Sequence, residues 1–192
     1  MGKRLKRKFF IQPTLKVAQE LLGKVLVRIY QGKRLSGKIV ETEAYIGPKD
    51  KASHAYLGKR TKRNLAEFLV GGHIYIYLVY GMYWQLNIST ETEGKPTCVL
   101  IRALEPVEGI TEATNGPGKL CQALRLNGNF YGEDLCQSKR IWMEERGKIK
   151  TNQIIKTPRI GIDYAGRFWS SVPWRFYIKD NKFVSKKANP FS

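Results

Sequence analysis

The sequence predicts a mixed α/β (α+β) fold, built as a single domain with a curved, mostly antiparallel sheet or open barrel and peripheral helices. The length of 192 residues suits one domain with a substantial core. Short segments rich in β-branched and aromatic residues recur along the chain, and glycine-containing turns separate them, which is typical of hairpins. No internal repeat, low-complexity segment or linker divides the chain, so residues 1–192 are assigned to one domain.

The first part of the chain combines a basic segment with a predicted helix. Residues from about 1–9 carry five lysines and arginines and form a basic arm. This arm either folds onto phosphates or is a solvated tail. Thr14–Leu22 has apolar residues at helical spacing, with Thr14 as the N-cap and Gly23 as the left-handed stop. We therefore expect a short amphipathic helix before the first strand.

Two strands are predicted next, Val25–Tyr30 and Lys38–Tyr45, joined by a glycine-containing connection. In the second strand, alternation places four residues on one face: Ile39, Glu41, Glu43 and Tyr45. Two carboxylates therefore share a face with an aromatic ring. This face is either a solvated strand surface or the wall of a pocket, where one carboxylate could act as a general base.

A polar loop and a second hairpin follow. Gly47–Asn64 is predicted to be exposed because it contains a cluster of basic residues: Lys59, Arg60, Lys62 and Arg63. The hairpin pairs His73–Val79 with Tyr83–Ile88 and has Tyr80 beside Gly81 at its tip. A bulky ring at that tip is poorly placed for burial and well placed to insert between base steps.

The predicted strand Cys98–Leu104 is apolar except for Arg102. A lone arginine in such a run needs a partner. It can form a buried ion pair with Glu41, Glu43 or Glu105, or it can orient a carboxylate or a phosphate beside a site. The residues alone do not separate these two interpretations.

The remaining third of the chain predicts one helix and two strands. The helix begins at Gly116–Gly118 and ends near Asn127. The strands lie around Ile160–Ile162 and Trp174–Ile178, and Gly147–Ile155 is interpreted as a surface excursion.

Charge and cysteine content restrict the function. The chain has 34 lysines and arginines against 16 acidic residues, a net charge of +18, which indicates a polyanionic partner. Three widely spaced cysteines without a Cys-x-x-Cys pair favour a reducing, intracellular compartment, and the signature of zinc-dependent base deaminases is absent. The most apolar stretch, Ile74–Trp84, is too short to span a membrane. We therefore expect no metal, no cofactor and no membrane role.

Four blocks of sequence occur in a fixed order along the chain: Gly37–Tyr45, Tyr75–Tyr83, Arg102–Pro106 and Gly116–Leu124. Together they resemble the alkyladenine (3-methyladenine) DNA glycosylase family, and the resemblance runs from about Leu21 to Ile178. It implies a DNA-repair enzyme that flips alkylated or deaminated purines out of duplex DNA. The enzyme would hydrolyse the N-glycosidic bond and leave an abasic site uncut.

The resemblance also implies catalytic roles. Glu43 matches the general base that deprotonates the water attacking the sugar C1′ carbon, and Arg102 matches its partner in holding that water. Tyr80 matches the residue that fills the gap left in the base stack. These assignments agree with the shared carboxylate face, the isolated arginine and the exposed tip tyrosine.

The base-binding residues follow from the same resemblance. The flipped base would lie between Tyr77 on one side and Tyr45 with His54 on the other, where electron-rich rings favour cationic bases. Asn87 matches the position that bars the exocyclic amine of guanine. The expected partner is double-stranded DNA, contacted from the minor groove by a monomer. Two alternatives are a non-catalytic binder of distorted nucleic acid and an RNA-modifying or ribosome-associated protein.

Overall fold

The computed structural model describes residues 2–187, and eight strands in this range form one antiparallel sheet. The strands are β1 (Val25–Tyr30), β2 (Lys33–Ile46), β3 (Ile74–Val79), β4 (Tyr83–Ser89), β5 (Thr97–Glu108), β6 (Ile141–Glu144), β7 (Ile154–Thr157) and β8 (Arg175–Ile178). The main order is β3-β4-β5-β2-β1-β6, and β8 joins through β2 and carries β7. This sheet curls into a half-barrel, which confirms the predicted mixed α/β class.

Four short helices flank the sheet: α1 (Arg7–Phe10), α2 (Thr14–Glu20), α3 (Pro117–Ala123) and α4 (Arg167–Ser171). Val17 of α2 and Leu120 of α3 are fully buried in the main core, which they share with Ile39, Ile101 and Leu104 of the central strands. These helices therefore cover one face of β2 and β5. The opposite face is only partly covered, by a second apolar cluster that includes Val40, Ala103 and Tyr177.

Two β-bulges in the central β2–β5 pair decide which side chains lie on that face. The register pairs Ile39 with Leu104, Glu41 with Ala103 and Thr42 with Ile101, so Val40 and Arg102 are extra residues in the ladder. Ile39 consequently packs in the main core and not beside Glu41, which corrects the strict alternation predicted for this strand. The second bulge turns Arg102 toward the carboxylates of β2.

The basic N-terminal residues pack onto the domain. Arg4 forms a β-bridge with Glu144, Leu5 is buried, and the Arg7 guanidinium lies 2.6 Å from the Asp134 carboxylate. The interpretation of this segment as a solvated tail is therefore wrong for residues 2–9. The side chains that remain exposed are Lys3, Lys6 and Lys8.

Most predicted elements occur, with local differences. The strand expected around Ile160–Ile162 is absent, because Gly161 has a positive φ of 75° and the chain turns there. Strand β7 overlaps the predicted surface excursion, and β6 and α4 were not predicted. None of the helices within residues 2–187 has both the length and the apolar character needed to cross a membrane.

Candidate active site

A cavity of about 390 Å³ opens on the sheet face opposite α2 and α3, within the size range typical of ligand sites. Six of the seven predicted site residues line it: Tyr45, His54, Tyr77, Tyr80, Asn87 and Arg102. The seventh, Glu43, is fully buried directly behind the wall. The structure thus brings together residues that are up to 59 positions apart in the sequence.

The Glu43 carboxylate is one hydrogen bond away from the cavity. Its Oε2 atom accepts from the Tyr45 hydroxyl at 2.9 Å, and Oε1 accepts from the backbone N–H of Ile160 at 2.8 Å. The Arg102 guanidinium lies 3.2 Å from Oε1. Tyr45, Ile160 and Arg102 all line the cavity. Since Oε2 accepts a single hydrogen bond from the described residues, it retains a lone pair for a water molecule.

Arg102 connects Glu43 to a second buried carboxylate. Its Nε donates to Glu41 at 2.9 Å, so the buried ion pair foreseen for this arginine is present with both Glu41 and Glu43. Burial alone would lower the pKa of Arg102, but the charges of Glu43 and Glu41 raise it above its ordinary value. The pairing foreseen with Glu105 does not occur, because Glu105 pairs with Lys38 at 2.6 Å.

Glu41 differs from Glu43 in how its oxygens are used. Besides Arg102, it accepts hydrogen bonds from Arg175 Nε at 2.7 Å and from both the backbone and the hydroxyl of Ser185, at 2.6 and 2.9 Å. Four protein donors therefore occupy Glu41. We assign it to the support of Arg102 and Arg175, whereas Glu43 keeps capacity for a further donor.

An aromatic wall forms one side of the cavity. The His54 ring packs edge-on against Tyr77, with 4.7 Å between ring centroids, and its Nδ1 is 2.6 Å from the Tyr75 hydroxyl. Desolvation of this inner edge, followed by the charges of Arg63 and Lys59, lowers the pKa of His54 to about 4. The ring is therefore neutral near pH 7, where it adds no positive charge to the cavity.

The Tyr77 ring is in contact with His54, Arg63 and Tyr75, whose ring centroid is 5.1 Å away. His54 touches its ring, and the Arg63 guanidinium lies 5.0 Å from its centroid. A purine stacked between Tyr77 and His54 would therefore require the His54 ring to move away from Tyr77. Burial raises the pKa of Tyr77 and, together with the neighbouring Glu43 charge, that of Tyr45, so both rings are neutral phenols.

Asn87 lies on the cavity wall at the β4–β5 pair and is 1% exposed. Its Nδ2 donates to the Gln85 carbonyl at 3.2 Å, and the Cys98 thiol lies 3.8 Å from its Oδ1. These contacts fix the amide plane beside the cavity. A fixed amide can discriminate between purines by the groups at their edges.

Tyr80 occupies the tip of the β3–β4 hairpin and is 87% exposed. Tyr80 and Gly81 have φ values of 53° and 69°, the combination required by a type I′ turn. Left-handed backbone is unfavourable for a tyrosine, and a strained, exposed aromatic residue is a functional candidate. Met82 beside it is also exposed, at 60%.

The basic stretch of the long loop reaches the cavity through Arg63, which lines it. The four residues of this stretch are exposed, as predicted: Lys59, Arg60, Lys62 and Arg63. The prediction that all of Gly47–Asn64 is exposed is wrong, because five other residues of this loop are buried: Asp50, Ala52, Ser53, Ala55 and Asn64.

Asp50 belongs to a buried ion pair with Arg159 that was not predicted from the sequence. The fully buried Arg159 guanidinium donates to both Asp50 oxygens, at 2.6 and 2.9 Å, and to the Ala44 carbonyl at 3.0 Å. It also lies 4.7 Å from the centroid of the Tyr45 ring and 5.2 Å from that of Trp174. The pair thereby fixes Tyr45 against the cavity. Because its members are 109 positions apart, the pair left no local signal in the sequence.

Glu67 is a second missed residue. It lines the cavity and is 2% exposed, in a 3₁₀ turn spanning Leu65–Phe68. A signal was available, because Glu67 is the single charged residue in the apolar run Leu65–Val70. Like Arg102, a lone charged residue in such a run needs a partner or a function.

Comparison with known proteins identifies the family. A model of the methylpurine-DNA glycosylase family matches residues 8–182. Proteins named "Putative 3-methyladenine DNA glycosylase" are 48% identical in Clostridium perfringens (strain SM101) and 45% identical in Alkaliphilus oremlandii, covering 96% of this chain and 100% of each relative. One from Methanocella arvoryzae is 47% identical over 96% of both chains. The chain therefore belongs to the methylpurine-DNA glycosylase family of DNA-repair enzymes, as the four sequence blocks predicted.

Proposed function

We propose that this chain excises alkylated purines, and deaminated purines such as hypoxanthine, from duplex DNA by flipping the nucleotide into the cavity and hydrolysing its N-glycosidic bond. One observation carries the proposal: a buried carboxylate, Glu43, lies one hydrogen bond behind a tyrosine-lined cavity beside an exposed hairpin tip. The alternatives of a non-catalytic binder and of an RNA-modifying or ribosome-associated protein are disfavoured by family membership.

Glu43 is the general base of this reaction. A water at the Tyr45 wall donates to Oε2, transfers a proton to it, and its oxygen bonds to C1′. The C1′–N bond breaks and its electron pair goes to the departing base. Positive charge develops on the sugar as the bond breaks, and the Glu43 carboxylate stabilises it. Arg102 positions the carboxylate, and the abasic strand remains uncut.

Base recognition uses the aromatic rings and Asn87. Tyr77 provides the stacking surface for the flipped purine, with Tyr45 and a displaced His54 on the other side. Neutral tyrosine rings attract cationic bases through their π faces, and a neutral His54 does not oppose that charge. Asn87 approaches the purine edge that carries the exocyclic amine in guanine and so excludes normal guanine.

Replacing Asn87 by serine is expected to increase the release of undamaged guanine by roughly tenfold, because a shorter side chain removes the steric and polar conflict with the amine. Release of guanine from unmodified duplex would be measured by alkaline cleavage at the resulting abasic sites. Hypoxanthine lacks this amine, so its release serves as the control and should change little. Unchanged guanine release would exclude Asn87 as the discriminating residue.

DNA is bound as a duplex, with the Tyr80 hairpin inserted from the minor groove. The basic stretch of the long loop contacts phosphates, and the net charge of +18 adds binding that does not depend on sequence. Tyr80 fills the space that the flipped nucleotide leaves. We expect the protein to act as a monomer, since one cavity and one hairpin suffice for one lesion.

Replacing Tyr80 by glycine separates insertion from folding. Glycine accepts the positive φ of 53° without strain, so this hairpin should be at least as stable as that of the wild type. Loss of the ring is nevertheless expected to lower the population of flipped nucleotide by about tenfold, the scale of one aromatic stacking contact. Stopped-flow fluorescence of 2-aminopurine beside the lesion reports flipping. Tyr80→Phe should retain it, and equal flipping in both variants would contradict the assignment.

The proposed activity is tested directly with duplex oligonucleotides that carry 7-methylguanine, hypoxanthine or ethenoadenine. The protein is incubated with each duplex in the presence of a chelator, and half of each sample is then treated with alkali. Lesion-dependent strand breaks that occur only after alkali are the expected result. Breaks without alkali would contradict an activity that leaves the abasic strand uncut, and absence of breaks for every lesion would overturn the proposal.

A further inference from the structure

Glu67 is a buried carboxylate that the reaction described above does not use. Its Oε1 atom faces the Cys98 thiol at 3.9 Å, a weak donor, and its Oε2 atom has no hydrogen-bond partner among residues 2–187. No described lysine or arginine forms an ion pair with it, whereas Glu41 and Glu43 share Arg102. Burial raises the pKa of Glu67 to about 8. Such a group is costly to retain unless a ligand completes its surroundings.

The position of Glu67 points to the ligand that would do so. Glu67 lines the same cavity as the Tyr75 and Tyr77 rings. Burial raises the pKa of both phenols, and the Glu67 charge raises each further, so the field of this carboxylate reaches the ring that stacks the base. What the carboxylate lacks is a positive charge inside the cavity.

We propose that Glu67 is a specificity-determining residue whose carboxylate supplies the counter-charge for purines made cationic by alkylation. It would favour 3-methyladenine and 7-methylguanine nucleotides over neutral lesions such as hypoxanthine and ethenoadenine. This inference rests on the proposed function and adds a basis for selection among its substrates. Because the free protein keeps Glu67 protonated below about pH 8, binding of a cationic base at neutral pH is coupled to release of that proton. The resulting ion pair lies in a cavity wall from which water is largely excluded, where charges interact more strongly than in solvent.

The chemistry of the substrate limits when this attraction acts. While the glycosidic bond is intact, the alkylated base carries a positive charge. When the bond breaks, its electron pair neutralises the base and the positive charge moves to the sugar. Because the bond is only partly broken in the transition state, Glu67 stabilises the bound lesion and the transition state to a similar extent, and it loses its attraction only for the free base. Removing its charge should weaken binding of cationic lesions without slowing bond cleavage, and the neutral product should leave freely.

Glu67→Gln tests this prediction because it keeps the shape and removes the charge. Single-turnover reactions with excess enzyme yield a half-saturating concentration and a maximal rate for each lesion. With 7-methylguanine the half-saturating concentration is expected to rise about tenfold while the maximal rate changes little. With hypoxanthine both values should stay within about twofold. Glu93→Gln removes one acidic charge from an exposed loop and is the matched control.

The opposite results are distinct. Three results would overturn the role of Glu67. These are equal changes in the half-saturating concentration for the charged and the neutral lesion, no change for either lesion, and a selective loss of maximal rate. If wild-type protein releases no lesion at all, the proposed function itself fails, which is a different outcome.

Thermal unfolding verifies that the Glu67→Gln variant folds, and its pH dependence reports the ionisation of Glu67 in the wild type. Between about pH 4.5 and 8 the unfolded chain ionises Glu67 while the folded protein keeps it protonated, so this group lowers stability as pH rises. The groups that face it titrate at higher pH: Cys98, Tyr75, Tyr77 and Tyr131. Glu67→Gln should therefore melt above wild type at pH 8, with a smaller difference at pH 5. A lower melting temperature at pH 8 would show that Glu67 is a structural residue.

Discussion

Replacing Glu43 by glutamine is expected to lower the single-turnover rate of base release by about 10² to 10⁴-fold, the contribution of a general base. The amide oxygen can still accept from the Ile160 N–H, and the amide NH₂ can donate to the Tyr45 hydroxyl oxygen once that hydroxyl rotates its proton away, so the local geometry should persist. An amide cannot take the proton of the attacking water, and it no longer stabilises positive charge on the sugar. Binding to lesion-containing duplex should remain within about threefold of wild type, because binding depends on other groups.

Glu41→Gln is the discriminating comparison for this prediction. It removes one charge from the same buried cluster, but four protein donors already occupy Glu41. We expect reduced stability and a smaller loss of rate at temperatures where the protein is folded. If Glu41→Gln abolished release as completely as Glu43→Gln while the fold remained intact, catalysis would depend on the charge of the cluster and not on proton transfer to Glu43.

The strand pattern and most of the cavity could be predicted because they depend on local periodicity and on the four sequence blocks. β-Branched and aromatic residues marked β1, β3 and β4 almost to their ends. Four of the six predicted residues that line the cavity lie within the sequence blocks: Tyr45, Tyr77, Tyr80 and Arg102. What alternation could not predict was the bulge at Val40, because an inserted residue leaves no mark on composition.

The groups that hold Tyr45 and Glu43 in place, namely the Arg159–Asp50 ion pair and the Ile160 N–H, could not be predicted for a different reason. Arg159 and Asp50 meet only after the chain has folded, and each occurs in a polar stretch where a charged residue is ordinary. Ile160 was assigned to a strand because of its β-branched side chain, yet its backbone N–H donates to Glu43 in a turn. Long-range pairing and backbone donors are invisible to patterns that extend over a few residues.

Replacing Asp50 by asparagine is expected to lower the free energy of unfolding by about 3 to 5 kcal/mol, because it leaves the buried Arg159 guanidinium without its counter-charge. Asp50 and Arg159 are each fully shielded from solvent. Asparagine preserves the side-chain shape and can still accept from the backbone N–H of Ala52, but its NH₂ group replaces the oxygen that accepts from the Ile46 N–H and from Arg159. The loss therefore reports the missing charge together with these two hydrogen bonds. Chemical denaturation measures it, and Asp163→Asn, at an exposed site, should change stability by no more than about 0.5 kcal/mol.

A double variant distinguishes this cause from a general disturbance of the loop. Adding Arg159→Met to Asp50→Asn removes the uncompensated charge and leaves an apolar side chain against Tyr45 and Trp174, where Arg159 packs. Part of the lost stability should therefore return, since apolar replacement of a buried ion pair is often close to neutral. If the double variant is less stable than Asp50→Asn alone, the hydrogen bond from Arg159 to Ala44 and its ring contacts outweigh the charge. In either case Tyr45 loses its rigid support, so base release should decline more steeply with temperature than in wild type.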